Sequence, residues 1–266
     1  AEIAKVDARI DAMRAKYAAD PEFQKHEALL DNGIDLARLT YPEVRTLRCQ
    51  MQYIFQDPYS SLNPRMTVAN IIGQGMLAHK YCTKANERMH EEILQNMEDC
   101  GLAPYFLHRY PHQFSGGQRQ RIGIARSLAV HPKFVVCDEA VSALDVSIQS
   151  QIINLLQDLK EQQHLTYLFI THDLSVVKYI SDRIGVMYLG NLVELADSQE
   201  IFDHPMHPYT EALLESIPTP EEKRDLAVLE GDIPRPVNPP KGCKFPPRCN
   251  SSTETCTPAL PDRTAH

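Results

Sequence analysis

Phe114-Ser-Gly-Gly-Gln118, then Phe134-Val-Val-Cys-Asp-Glu139, then Thr171-His-Asp173 occur in that order, and the spacing between them decides the fold. From Gln118 onward the apolar pattern predicts a helix over 118–130, a strand over 134–138, a helix over 147–160, a strand over 166–171, a helix over 174–180 and a strand over 184–189. Strands that alternate with helices imply a parallel sheet with helices packed against it. The run Phe134-Val-Val-Cys137 lacks alternation, as a strand buried on both faces should. Gly190-Asn191 reads as a hairpin joining two strand-like runs.

The same three segments carry the candidate chemistry. Ser115-Gly116-Gly117-Gln118 precedes the helix bearing Arg119, Arg121 and Arg126, so its backbone N–H groups and the positive end of the helix dipole can face an anion. Taken alone, such a turn is an ordinary helix start. Its company argues for more. Gln118 to Asp138 is 20 residues and Glu139 to His172 is 33, spacings that bring the strand ends to one edge of the sheet. Ligands of open α/β sheets sit at that edge. Asp138 and Glu139 are adjacent carboxylates closing an apolar strand. They would repel unless a cation or a reacting water used them, the alternative being that they cap the following turn. With Mg²⁺, Asp138 is the metal partner and Glu139 the base that polarises the attacking water. His172 ends the next strand; a lone histidine there is usually structural, and its company at the same edge makes it a candidate for holding that water. No G-x-x-x-x-G-K-[ST] occurs in the 266 residues, and the segment from Gly73 to Lys80 has the wrong spacing for one.

Outward from this core, Ile3, Val6, Ile10, Met13 and Tyr17 are spaced 3, 4, 3 and 4, one stripe of a helix. Asp20-Pro21 ends it, and a short helical stretch over 42–47 leads to a strand over 51–55 and to Gln56-Asp57-Pro58. Residues 66–101 read as an all-α insertion. Ten of the 19 prolines fall between Pro218 and Pro261, which forbids regular helix and most ladder pairing there. The expected organisation is an amphipathic helical segment over 1–32, the end of an N-terminal core over 33–65, a helical subdomain over 66–113, an α/β core over 114–203 and a C-terminal extension over 204–266.

Composition narrows the classes. At 43% hydrophobic residues the chain can bury a substantial core. A net charge of -8 argues against nucleic acid as a partner, because phosphate-backbone binding needs a clustered cationic surface. No apolar run of roughly 18 residues and no charged-then-apolar leader is present, so the expectation is a soluble, cytoplasmic chain. Four of the seven cysteines, Cys49, Cys82, Cys100 and Cys137, are scattered singly, as suits reduced thiols. Ala1 in place of a methionine leads us to expect a segment of a longer protein.

These motifs resemble the ABC-transporter ATPases, and most closely the ATP-binding subunits of dipeptide and oligopeptide importers. The resemblance runs from about Gly33 to Cys256. It is carried by the signature loop, by Met51-Gln-Tyr-Ile-Phe-Gln-Asp-Pro-Tyr59 with Ser61-Leu-Asn-Pro-Arg-Met-Thr-Val68, and by Asp138-Glu-Ala-Val-Ser-Ala-Leu-Asp-Val-Ser147. His207-Pro-Tyr-Thr210, Gly231-Asp-Ile-Pro234 and Pro239-Pro-Lys-Gly-Cys243 resemble the C-terminal extension of peptide and nickel importers. Ala140 departs from relatives that carry proline after the glutamate. The resemblance implies an ABC-type α/β core with a helical subdomain, ATP and Mg²⁺ as ligands, and Gln56 in contact with Mg²⁺ and the attacking water. Asp145 then belongs to the D-loop, and Ser115, Gly116, Gly117 and Gln118 to the nucleotide-binding signature. It also implies a second ATPase subunit bound head to tail, membrane permease subunits, an indirect link to a peptide-binding protein, and a peripheral place on the cytoplasmic face of the membrane. Cys243, Cys249 and Cys256 form C-x5-C-x6-C where some relatives hold a [4Fe-4S] cluster. Cluster ligation takes four thiolates and structural zinc four ligands, so a metal-free loop stays open beside both. Two other readings also stay open: a soluble non-transport ABC ATPase, and a nonhydrolytic half-site that lends its signature loop in trans. The chain as given, lacking the phosphate loop, is expected to be inactive alone.

Overall fold

The structure is a computed structural model, and it describes residues 13–18, 20–21, 23–24, 35–81, 87–216, 242–245, 248–249 and 252. Ile3, Val6, Ile10, Gly33, Cys82, Cys256 and the segments Gly231–Pro234 and Pro239–Lys241 lie outside them. The backbone divides into two compact units, Ala1–Thr46 and Leu47–His266. In the first, residues 13–17 are helical, and Met13 and Tyr17 of the apolar stripe are exposed.

The helix α1 covers Tyr41–Gln50 and β1 Met51–Ile54. Two helices follow, α2 (Val68–Ala78) and α3 (Glu87–Asp99), within the stretch expected to be all-α. Next come α4 (Gly116–Leu128), β2 (Phe134–Asp138), α5 (Val146–Gln163), β3 (Thr166–Ile170) and α6 (Leu174–Ile180). The strands β1, β2 and β3 form one parallel sheet in that order, with Tyr53 opposite Val136 and Val136 opposite Leu168. Its inner face, with Ile54, Val135 and Cys137, shares one apolar cluster with Ile122, Ile124 and Leu128 of α4 and Ile152, Leu156 and Leu159 of α5. Ile72 and Met76 of α2 and Met97 of α3 belong to the same cluster. Each such side chain contributes roughly 1.5–3 kcal/mol by leaving water. The opposite face of the sheet carries Tyr53, Phe55, Leu168 and Ile170, all exposed.

The parallel sheet ends there, against expectation. Among the described residues strand β4 (Arg183–Tyr188) pairs only with β5 (Asn191–Asp197), antiparallel, as a separate two-stranded sheet. The reason is visible along β4. Ile184, Val186 and Tyr188 are buried and alternate with exposed neighbours, the pattern of a strand with one wet face. The turn itself is Leu189-Gly190, both at positive φ (45° and 80°), the geometry that two-residue hairpins favour. Beneath this hairpin, Ile184, Val186 and Ile201 form a second small core with Tyr209 and Leu213, from α7 (Ser198–Asp203) and α8 (Pro208–Glu215). Phe245, 1% exposed, returns from the extension to stand edge-on to Tyr188 and Tyr209, and Lys244 donates to the Leu189 carbonyl at 2.7 Å.

Candidate active site

Strand β2 delivers Asp138 and Glu139 to the carboxyl edge of the parallel sheet. Glu139 leaves the strand at φ 44°, a left-handed conformation that costs a non-glycine residue about 1–3 kcal/mol. The surroundings hold it there. Its N–H donates to the Ile170 carbonyl at 2.8 Å, and its carbonyl accepts from the Ser142 N–H and hydroxyl at 3.1 and 3.0 Å. Further bonds pin the loop that follows: buried Gln120 donates to the Ala140 carbonyl at 2.6 Å and Gln149 to the Val141 carbonyl at 3.0 Å. At 0.5–1.5 kcal/mol each, roughly, these bonds offset the strain.

The turn aims the Glu139 carboxylate at two partners predicted from the sequence. The Gln56 amide donates to one oxygen, and His172 Nδ1 stands 3.3 Å from the other. Glu139 is 29% exposed and His172 74%, so the carboxylate is the more sheltered of the two. His172 is set by the N-terminus of α6. The Thr171 hydroxyl accepts from the Asp173 N–H at 3.1 Å, and the Asp173 carboxylate caps the helix through Ser175 and Val176. On the other side, Gln56 follows β1, and Asp57 closes the next turn by accepting from Tyr59 at 2.7 Å.

Asp138 has a partner that sequence reasoning missed. The Tyr53 hydroxyl donates to it across the exposed face of the sheet. That bond is the main reason the Tyr53 phenol is raised above its ordinary value and so kept protonated as a donor. Residues two apart along a strand share a face, and with Tyr53 opposite Val136 that rule places Tyr53 beside Asp138. The register itself could not be read from the sequence.

Ser115, Gly116, Gly117 and Gln118 open α4 as a capping box: the Gln118 N–H donates to the Ser115 hydroxyl at 3.4 Å, and the Ser115 N–H to the Gln118 side chain at 3.1 Å. The predicted start at Gln118 is therefore corrected to Gly116, because Ser-x-x-Gln caps its own helix. The N–H groups of Gly116 and Gly117 remain ahead of the first intrahelical bond. At Gly117 a Cβ would meet Ile148 of α5 at 2.5 Å, so this glycine serves a helix-to-helix approach. The cations of α4 are committed to carbonyls: Arg119 to Pro111 at 2.9 Å, Arg121 to Cys100 at 2.9 Å and Arg126 to Ser61 at 2.6 Å. Asp145 is the exposed N-cap residue of α5. Among the described residues, no hydrogen bond joins Ser115–Gln118 or Asp145 to Gln56, Glu139 and His172.

The donor chemistry separates two metal readings. Among the described residues no group of three His, Cys, Asp or Glu side chains could hold a metal ion. Magnesium needs none, since it keeps most of its waters and takes one or two carboxylates with phosphate oxygens. The Asp138 carboxylate and the Gln56 amide oxygen are hard oxygen donors and fit it. Among the described residues the cysteines form no comparable site: Cys243 and Cys249 are half-buried, and the Cys243 sulfur accepts from the Phe245 N–H at 3.4 Å. Cys256 lies outside the described residues, and the two described thiols alone fall short of the four that a [4Fe-4S] cluster takes. No helix among the described residues is long and apolar enough to cross a membrane.

Residues 18–142 match the family model described as ABC transporter, and residues 193–256 the model described as oligopeptide/dipeptide transporter, C-terminal region. The oligopeptide transport ATP-binding protein AppF of Bacillus subtilis is 50% identical over 241 residues, covering 88% of this chain and 72% of that protein. The oligopeptide transport ATP-binding protein OppF of Escherichia coli is 47% identical over 233 residues, covering 86% and 70%. Among solved structures, the dimeric post-hydrolysis state of the ATP-binding cassette MJ0796 bound to ADP and Pi is similar, with a TM-score of 0.55 and 26% identity over 63% of this chain and 72% of that one. The chain belongs to the ABC-transporter ATPases, in the family of oligopeptide and dipeptide transport ATP-binding subunits.

Proposed function

We propose that this chain hydrolyses ATP to drive an ABC importer of dipeptides or oligopeptides. The observation that carries the reading is the Glu139 carboxylate, turned out of β2 and held between the Gln56 amide and His172, in a chain about half identical to oligopeptide transport ATP-binding proteins. Asp138 and Gln56 would hold Mg²⁺, which supplies charge neutralisation on the phosphate oxygens. Glu139 accepts a proton from the attacking water at a carboxylate oxygen. His172 fixes the direction of that carboxylate and faces the terminal phosphate. The N–H groups of Gly116 and Gly117, with the Ser115 hydroxyl, donate to the nucleotide of a second ATPase subunit bound head to tail, and Asp145 lies in the interface between them. Permease subunits complete the machine at the cytoplasmic face of the membrane, with a peptide-binding protein supplying cargo. With no G-x-x-x-x-G-K-[ST] in the sequence, these 266 residues alone hold nucleotide weakly.

That same absence favours a second reading, a half-site that lends Ser115–Gln118 to a partner without hydrolysing ATP itself. ATP turnover by the protein as encoded, purified with its permease and partner ATPase, separates the two. Turnover that collapses in Glu139→Gln supports the first reading, and turnover indifferent to it supports the second.

A further inference from the structure

Tyr53 is exposed on the uncovered face of the sheet, yet its position is fixed from three directions. Its carbonyl accepts from Ser127 at 3.1 Å, and Ser127 is 1% exposed on α4, the helix that Ser115 opens. Its ring lies against Phe55 with centroids 4.7 Å apart. Phe55 in turn lies under the Arg126 guanidinium at 5.9 Å, and Arg126 is tied to the Ser61 carbonyl. The hydroxyl at the end of this assembly reaches Asp138 Oδ2. An exposed tyrosine on a strand needs none of these restraints to pack. Their joint effect is to bring one donor to one oxygen of one carboxylate.

We infer that Tyr53 is a positioning residue for the metal-binding carboxylate: its hydroxyl occupies Asp138 Oδ2 and would leave Oδ1 to the cation. A monodentate carboxylate with its second oxygen engaged cannot swing to chelate or turn away to solvent. The cation then meets a prepared ligand. Partners that orient a metal ligand typically contribute about 10- to 100-fold in metal affinity, and with a single bond of this kind we expect the lower end. The inference rests on the ATPase reading above, because Asp138 has a cation only there.

Tyr53→Phe removes the oxygen and keeps the ring against Phe55, so the fold is retained. Mn²⁺ is the probe, titrated by electron paramagnetic resonance into the protein as encoded with its partner subunits and a nonhydrolysable ATP analogue, so no turnover is needed. The variant is expected to weaken Mn²⁺ binding about 10-fold, and to raise the Mg²⁺ concentration for half-maximal hydrolysis by a similar factor while turnover at saturating Mg²⁺ stays near wild type. Phe55→Leu, which disturbs the neighbour and spares the hydroxyl, should weaken Mn²⁺ far less. Mn²⁺ affinity equal in wild type and Tyr53→Phe overturns the inference and leaves the ATPase reading intact. No nucleotide-dependent Mn²⁺ binding by the wild type overturns both.

Discussion

Glu139→Gln removes a base while leaving its surroundings in place. In the native site one carboxylate oxygen accepts from Gln56 and the other faces His172 Nδ1 at 3.3 Å. A glutamine can offer its carbonyl oxygen to Gln56 and its amide N–H to His172 in the tautomer with a bare Nδ1. It meets the same left-handed backbone, φ 44°, with the same strain. The residue is 29% exposed, so the fold should lose no more than about 1 kcal/mol, a shift of about 2–4 °C in Tm. The amide cannot take the proton of water, and loss of a positioned base costs about 10²- to 10⁴-fold in rate. That is about 2.7–5.4 kcal/mol of transition-state stabilisation. Steady-state phosphate release by the protein as encoded, assembled with its partners, would show the loss, with nucleotide affinity measured separately by a fluorescent analogue. Turnover within twofold of wild type would remove Glu139 from the chemistry. A collapse of Tm comparable to the loss of rate would mean that Glu139 acts through the fold.

His172→Ala deletes an exposed ring whose one described partner is Glu139, and a hydrogen bond to a charged group is worth about 1.5–3 kcal/mol. Turnover should fall about 10- to 100-fold with Tm unchanged; equal turnover would place the ring outside the mechanism. Burial pushes the thiols of Cys100 and Cys137 up to about 12. They stay neutral through the physiological range, and iodoacetamide at pH 8 should label neither until denaturant is added; peptide mass spectrometry showing native labelling of either would contradict their burial. Calorimetry with MgATP on the 266 residues alone should find weak or no binding, and a low-micromolar Kd would reveal a phosphate site built without the G-x-x-x-x-G-K-[ST] loop.

How much could be read in advance differs from element to element. Strands β2 and β3 and the helix between them follow directly from the apolar pattern. Order alone misplaced β4: its helix-then-strand position suggested the parallel sheet, while the alternation of Ile184, Val186 and Tyr188 with exposed neighbours pointed to a one-sided antiparallel pair. Glu139 and His172 were legible together because each follows a strand of one sheet, and parallel strands end at a common edge; Gln56 came from the resemblance alone, since nothing in the sequence paired its strand with theirs. The Ser-x-x-Gln spacing of Ser115–Gln118 carried the signal of a capping box that a start placed at Gln118 overlooked, and nothing in the sequence showed that Gly117 serves packing against Ile148. Nor could the commitment of three arginines to carbonyls be read, because it depends on where other loops run. Tyr53 was hidden for the same reason: its partner is 85 positions away and is fixed only by register.

The most direct test of the central claim is uptake of a labelled oligopeptide into vesicles that contain the permease and the ATPase subunits, with ATP supplied on the side of this chain and the binding protein on the other. The account predicts that uptake requires ATP, that peptide raises phosphate release, and that Glu139→Gln abolishes both together. Phosphate release indifferent to peptide, with no uptake, would contradict it.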